Sequence, residues 1–87
     1  MKIYKRIIEH YGTSNQKIKA IEELSELTFE IARDLQGNAA PHKIAEELAD
    51  VEIMLEQLKR IYENHYKVEL WKEHKLNRME VRLNEST

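Results

Sequence analysis

The 87 residues of this chain suffice for one domain, expected to span residues 1–87, and so small a unit is only marginally stable alone, which favours self-association. The chain has no cysteine, so disulfides and thiolate metal sites are excluded and any metal needs oxygen or histidine ligands. The net charge of -2, the lack of a long apolar run and the charged N-terminus argue against a nucleic-acid polymer, a membrane and a signal peptide, and favour a cytoplasmic protein.

Apolar residues recur at three- and four-residue spacing along almost the whole chain, which predicts an all-α fold. A short first helix is expected over residues 3–10, and it ends near Gly12. Thr13 or Ser14 is expected to cap a second helix that continues to about residue 36.

Two further helices are predicted in the second half of the chain. Gly37 with Asn38 is a stop signal, and Pro41 suits the first turn of a third helix that reaches about Tyr62. A fourth helix follows Asn64 and is expected to fray over residues 84–87. Its apolar residues are Val68, Trp71, Met79 and Leu83. The predicted architecture is a helical bundle of about four helices, completed by self-association.

The middle of the chain is strongly acidic. Residues 22–56 contain ten acids and two bases, whereas the segments on either side are richer in bases than in acids. Most charge runs of this kind are solvated helix faces. An acidic centre between basic ends also suits a metal-bound phosphate ligand.

Glu47 lies on the apolar face of the predicted third helix. At about 100° per residue, the apolar side chains of this helix fall within roughly 100° of it, and Asp50 is about 60° to one side. A buried carboxylate costs several kcal/mol unless it is paired or bound to a cation. Lys43, one turn earlier, is expected to reach Glu47 only by bending back. The predicted compensation is therefore a neighbouring helix or a metal.

Three acids of the second helix, Glu23, Glu26 and Glu30, share one edge that borders its apolar stripe. If the second and third helices pack antiparallel, Glu23 and Glu26 face Glu47 and Asp50. Hard divalent ions relieve the repulsion, and Mg²⁺, with Mn²⁺ as a substitute, fits carboxylate ligands best. The chain lacks the loop of an EF-hand and the Glu-x-x-His of a di-iron bundle. A salt-bridged role for these acids stays open.

Two short segments resemble a known family. The sequence EELSE at residues 22–26, followed by EELADV at residues 46–51, is similar to the paired signature of the MazG-like, all-alpha nucleoside triphosphate pyrophosphohydrolases. The resemblance extends over about residues 16–82. It implies a homodimer or homotetramer that hydrolyses a nucleoside triphosphate to monophosphate and pyrophosphate with Mg²⁺.

The resemblance also implies roles for particular residues. The metal ligands and catalytic carboxylates correspond to Glu23, Glu26, Glu47 and Asp50, with Glu22 and Glu46 as their neighbours. A basic substrate-binding element in the tail corresponds to Lys75, Arg78 and Arg82, which also share one helix face. A solvated basic stripe is the alternative for that tail. Trp71 or a tyrosine is a candidate to stack on the base, although a core position is the commoner role of tryptophan.

Two other functions remain open from the sequence. The chain is alternatively a non-catalytic helical interaction module whose acids form salt bridges with a partner subunit. The second alternative is an enzyme with the same catalytic carboxylates but a different substrate, because related all-alpha enzymes act on phosphoribosyl-ATP, dUTP or dCTP. The residues alone do not distinguish these substrates.

Overall fold

The computed structural model describes residues 1–86 and has four α-helices joined by short connections. The helices are α1 (Lys2–Tyr11), α2 (Thr13–Leu35), α3 (Pro41–Ile61) and α4 (His65–Glu85). Over these residues there is no strand, so the predicted all-α class and four-helix count are confirmed. None of the four helices is both long and apolar enough to span a bilayer.

The helix boundaries follow from a few residues. Gly12 has a φ of 93°, a left-handed conformation that favours glycine, and its N–H donates to the Ile8 carbonyl to end α1. Gly12 is also the residue that precedes α2, and no side chain caps that helix. The predicted cap by Thr13 or Ser14 is therefore wrong, because Thr13 is already helical. Pro41 begins α3 as predicted.

Both long helices of the central hairpin end in the same left-handed turn. After α2, Asn38 N–H donates to the Arg33 carbonyl at 2.9 Å, and Gly37 has a φ of 85°. After α3, Asn64 N–H donates to the Lys59 carbonyl at 3.1 Å, and the left-handed residue is Glu63, with a φ of 52°. This is the Schellman arrangement. Glu63 adopts this left-handed conformation although its Cβ atom makes it unfavourable, a penalty that glycine avoids.

The core lies between α2 and α3, which form an antiparallel hairpin. Gln16 near the start of α2 hydrogen-bonds Gln57 near the end of α3, and Ala20, Val51 and Met54 are the buried apolar residues. Helix α1 packs on both helices of the hairpin, whereas α4 contacts only α3. So small a core leaves the single chain with little hydrophobic stabilisation.

Helix α4 extends away from the hairpin. It contains no buried residue, and Trp71 is 61% exposed, so the core position considered for this tryptophan is wrong for the single chain. Met79 and Leu83 are exposed as well. The helix continues to Glu85 rather than fraying at residue 84, and residue 87 lies outside the described residues. The radius of gyration, 16.3 Å, exceeds the roughly 12 Å of a compact chain of this length.

Replacing Glu63 by glycine is expected to stabilise the fold, because glycine adopts the left-handed conformation without the Cβ penalty of about 1 kcal/mol. A chain of this size should then melt about 4–8 °C higher in a calorimetric scan. Gly37→Ala is the matched control and should lower the melting temperature, because a Cβ there meets nothing within 4 Å and only the φ of 85° opposes it. A Glu63→Gly chain that melts no higher than wild type would contradict this account.

Candidate metal centre

The four predicted acids lie together on the α2–α3 hairpin. One carboxylate oxygen from each of Glu23, Glu26 and Glu47 lies within 4.8 Å of the other two. A second set with the same spacing consists of Glu46, Glu47 and Asp50. The sets share Glu47, so acids from both helices form one group, which we call the acid cluster: Glu23, Glu26, Glu46, Glu47 and Asp50.

Two members of the acid cluster are buried. Glu23 is 6% exposed and Glu47 is 3% exposed, and the Oε2 atom of each is buried without a hydrogen-bond partner. An ionised oxygen in this position has lost its water and gained nothing in exchange, which costs several kcal/mol. A cation bound to these two oxygens would remove this energetic cost.

Each buried acid has one lysine partner from its own helix. Lys19 Nζ lies 3.1 Å from Glu23 Oε1, and Lys43 Nζ lies 3.5 Å from Glu47 Oε1. The expectation that Lys43 would not compensate Glu47 is therefore wrong, since the flexible lysine stem spans the turn. Both lysine side chains remain about half exposed.

The lysines neutralise only part of the negative charge. Hydrogen bonding to Glu23 raises the pKa of Lys19, and the charge of Glu46 raises the pKa of Lys43, so both stay protonated at neutral pH. With all groups ionised, the five carboxylates of the acid cluster and the two ammonium groups leave three negative charges. This remaining negative charge causes repulsion among the carboxylates of the acid cluster.

The repulsion changes the pKa of Glu26. The negative charge of Glu23, followed by the hydrogen bond and charge of Glu47, raises the pKa of the Glu26 carboxyl above its ordinary value of 4.5. Glu26 is exposed, so burial is a minor cause. Three carboxylates this close together, one of them with a raised pKa, are a suitable ligand set for a hard divalent cation.

The donor set fits Mg²⁺ or Mn²⁺ better than softer metals. Both groups contain only carboxylates, without histidine, and the buried unpartnered oxygens of Glu23 and Glu47 offer additional lone pairs. Magnesium prefers such oxygen ligands and usually completes its octahedron with water and phosphate. Glu22, the other neighbour suggested by the resemblance, belongs to neither group.

A third acid of the same edge of α2, Glu30, was predicted to border the apolar stripe but was not assigned to the site. Glu30 is buried, and its Oε2 has no hydrogen-bond partner. It lines a groove together with Glu26, Lys43 and Glu47. Its spacing of four residues from Glu26 puts both acids on one edge of α2, so the predicted position of Glu30 beside the core is confirmed.

The basic residues of the tail lie elsewhere in the single chain. Lys75, Arg78 and Arg82 are exposed on α4. The grooves that border the acid cluster on its two sides are lined by residues of α1, α2 and α3, with none from α4. Phosphate binding by these three residues therefore stays a prediction.

Fold and site together define a class: an all-helical protein with a hairpin-borne carboxylate cluster suited to a hard divalent cation. Comparison with known proteins adds no family to this description. The chain matches no family model, no curated protein and no solved structure. The resemblance to MazG-like enzymes accordingly rests on the two short acidic segments.

Without metal, the acid cluster should destabilise the fold as the pH rises. Because the folded-state pKa of Glu26 is raised, its protonated form contributes stability at low pH, and this contribution is lost as the pH rises through the raised pKa. We expect the chain in a chelator to melt at a lower temperature near pH 7 than near pH 5, and Glu26→Gln to reduce that difference. Scanning calorimetry at both pH values measures it.

The control for this prediction is Glu22→Gln, which removes a neighbouring exposed acid that belongs to neither ligand group. It should leave the pH dependence close to that of the unmodified chain. Equal pH dependence in the wild-type and Glu26→Gln chains would show that the charges of the cluster are not crowded in solution.

Proposed function

We propose that this protein is a Mg²⁺-dependent nucleotide pyrophosphohydrolase that converts a nucleoside or deoxynucleoside triphosphate to monophosphate and pyrophosphate, as housekeeping of the cytoplasmic nucleotide pool. The observation that carries the proposal is the pair of buried carboxylates, Glu23 and Glu47, whose Oε2 atoms lack hydrogen-bond partners beside Glu26. The similarity of residues 22–26 and 46–51 to the MazG-like signature supports the same function.

The proposed chemistry divides between metal and chain. Glu23, Glu26, Glu47 and Asp50 would hold Mg²⁺, which would supply charge stabilisation for the triphosphate and activation of a water. One carboxylate of the cluster orients the attacking water. Water attacks the α-phosphorus, and the bond from that phosphorus to the oxygen bridging to the β-phosphorus breaks, so pyrophosphate leaves.

The two lysines have a place in this mechanism. Lys19 and Lys43 pair with the same buried acids that would hold the cation. With a cation held by those acids, the half-exposed side chains of Lys19 and Lys43 would contact phosphate oxygens. The basic tail residues Lys75, Arg78 and Arg82 are proposed as further phosphate ligands, supplied in an assembly of several copies.

Glu47→Gln tests the catalytic proposal. It removes one negative charge from both ligand groups, and pyrophosphate release should fall by at least about 100-fold because metal-based charge stabilisation is worth several kcal/mol. The fold should persist, since the change relieves charge crowding. The assay is pyrophosphate release from a panel of nucleoside triphosphates with Mg²⁺, including dUTP, dCTP and phosphoribosyl-ATP, which also determines the substrate.

Glu52→Gln is the matched control for that assay, because Glu52 is exposed on the opposite side of α3. It should retain wild-type turnover. A Glu47→Gln chain as active as wild type would overturn the assigned role of Glu47, and absence of pyrophosphate release from every nucleotide would overturn the proposed function.

One observation favours the second candidate, a non-catalytic interaction module. The ion pairs of Lys19 with Glu23 and of Lys43 with Glu47 already compensate one oxygen of each buried acid within the chain. In such a module the other oxygens would be satisfied by cationic side chains of a partner subunit. This alternative predicts that Mg²⁺ leaves the melting temperature unchanged, whereas the enzyme proposal predicts that Mg²⁺ raises it.

We further propose that the chain acts as a homodimer or homotetramer. Its accessible surface is 7118 Å², whereas a folded monomer of 10.4 kDa exposes about 5,400 Å². The excess, about 1,700 Å² per chain, is within the range that obligate homodimers bury. This excess of exposed surface favours a second copy of the chain as the partner that covers it.

The outward side of α2 is the proposed interface. Ile21 lies about 160° from Glu23 around the helix and is 64% exposed. The hydroxyl groups of Ser25 and Thr28 on this side donate to backbone carbonyls four residues earlier, at 2.9 Å each, so they present no free donor. The exposed apolar residues of this side are Ile18, Ile21, Leu24, Phe29, Ile31 and Leu35.

Ile21→Glu should break the association, because it places a charge in the centre of the apolar side of α2. We expect sedimentation velocity to give a monomer, and the melting temperature to fall and to lose its dependence on protein concentration. The same substitution at Ile3, an exposed isoleucine on α1, serves as control and should preserve the assembly. A wild-type chain that sediments as a monomer at every concentration would contradict the proposal.

A further inference from the structure

A groove lies next to the acid cluster, where α1 meets the hairpin. Its volume is about 480 Å³, within the range of small-molecule sites. Glu23 and Asp50 are among its lining residues, and so are Tyr11, Gln16 and Gln57; the others are Asn15, Lys19, Ile53 and Met54. The groove therefore begins at two members of the acid cluster and ends at neutral polar and aromatic groups.

Two buried carboxamides form part of the groove wall. Gln57 is 2% exposed and Gln16 is 7% exposed, and the Nε2 of Gln16 donates to Gln57 Oε1 at 2.7 Å. The amino group of Gln57 donates only to Met54 Sδ, at 3.6 Å, a weak acceptor. Two amides in so small a core stabilise it less than apolar residues would. Their burial points to a role beyond packing.

The bond between the two amides orients Gln16. It uses one N–H of Gln16 and leaves the second N–H and the carbonyl oxygen for a ligand in the groove. A donor and an acceptor side by side match the edge of a nucleobase, which glutamine and asparagine recognise with two hydrogen bonds. Gln57 acts as a positioning residue, because it fixes the amide of Gln16.

The spacing along both helices is the same. On α2 the amide of Gln16 comes seven residues before Glu23, and on α3 the amide of Gln57 comes seven residues after Asp50. Seven helical residues span about 10.5 Å, or two turns. Because the helices are antiparallel, both amides lie at one end of the groove and both acids at the other. A triphosphate at the acids would thus extend its nucleoside toward the amides.

An aromatic ring completes this end of the groove. Tyr11 lines it and is exposed, and its ring meets the His10 ring edge-on at 4.6 Å. An exposed ring beside two amides offers a stacking surface for a base. Trp71, the other candidate for stacking, lines a separate cavity on α4 with Lys67, Leu70 and His74.

From this arrangement we propose that the groove is a nucleobase subsite in which Gln16 hydrogen-bonds the base edge, Gln57 holds Gln16 in place and Tyr11 stacks on the base. The proposal rests on the proposed function for its link to the acid cluster. It adds the residues that give the enzyme its base preference, whichever base that is.

Gln16→Met tests the subsite, because it keeps the length of the side chain and removes its hydrogen bonds. For the preferred nucleotide, KM should rise by about tenfold or more, kcat should change by less than about threefold, and the preference among bases should flatten. Mg²⁺ should raise the melting temperature of the variant as it does that of wild type, because the acids are intact. Gln36→Met, at an exposed glutamine after α2, is the matched control and should change none of these.

Two further variants keep the test decisive. Gln57→Met should flatten the base preference as Gln16→Met does, through loss of the amide that positions Gln16. If Gln16→Met fails to fold, Gln16→Asn replaces it, since it retains an amide but withdraws it by one methylene and should also raise KM. Unchanged KM and unchanged base preference in the folded Gln16 variant would overturn the proposal.

A binding experiment separates this proposal from the proposed function. Free nucleosides, without phosphate or metal, are titrated into the ¹⁵N-labelled full chain, and the side-chain amide signals of Gln16 and Gln57 should shift while that of Gln36 does not. Shifts in a chain that releases no pyrophosphate would support the subsite and contradict the enzyme. Pyrophosphate release without any such shift would support the enzyme and overturn the subsite.

Discussion

The burial of negative charge between α2 and α3 is the constraint on which the site depends. Glu23 and Glu47 lose their water there, and each keeps a single lysine partner and one oxygen without any. A half-exposed lysine is a modest compensation, since its other N–H groups are still hydrated. A divalent cation would compensate both acids and Glu26 at once, including the Oε2 atoms that the lysines leave without a partner. The lysines compensate part of this negative charge within the chain itself.

The helix boundaries are predictable where a residue restricts the backbone by itself. Gly12, Gly37 and Pro41 do so, and the helices end and begin beside them. Glu63 is different, because its left-handed conformation is imposed by the turn that ends α3 and contradicts its own preference. The exposure of Trp71 was not predictable either, since periodicity identifies an apolar residue without telling which chain covers it.

The acids of the site were predictable for a related reason: a charge on an apolar helix face, such as Glu47, contradicts the surrounding pattern. Their neutral neighbours were not. Gln16 and Gln57 are as common on solvated helix faces as in a buried pair, and only the register between α2 and α3 brings them to 2.7 Å. Lys43 was missed because a helical wheel fixes the direction of a side chain and ignores the reach of four methylene groups.

Helix α2 reverses the usual arrangement of an amphipathic helix. Its acids lie toward α3, whereas Ile21 and its neighbours on the opposite side are exposed. The α2–α3 contact buries two acids of this helix, Glu23 and Glu30, while the larger apolar side chains lie on its other side. Covering that side with a second copy would supply the missing stabilisation without disturbing the acids. The proposed assembly and the site would then be linked. Contact with a second copy on the outer side of α2 would stabilise the fold, and the inner side of α2 would carry the buried acids.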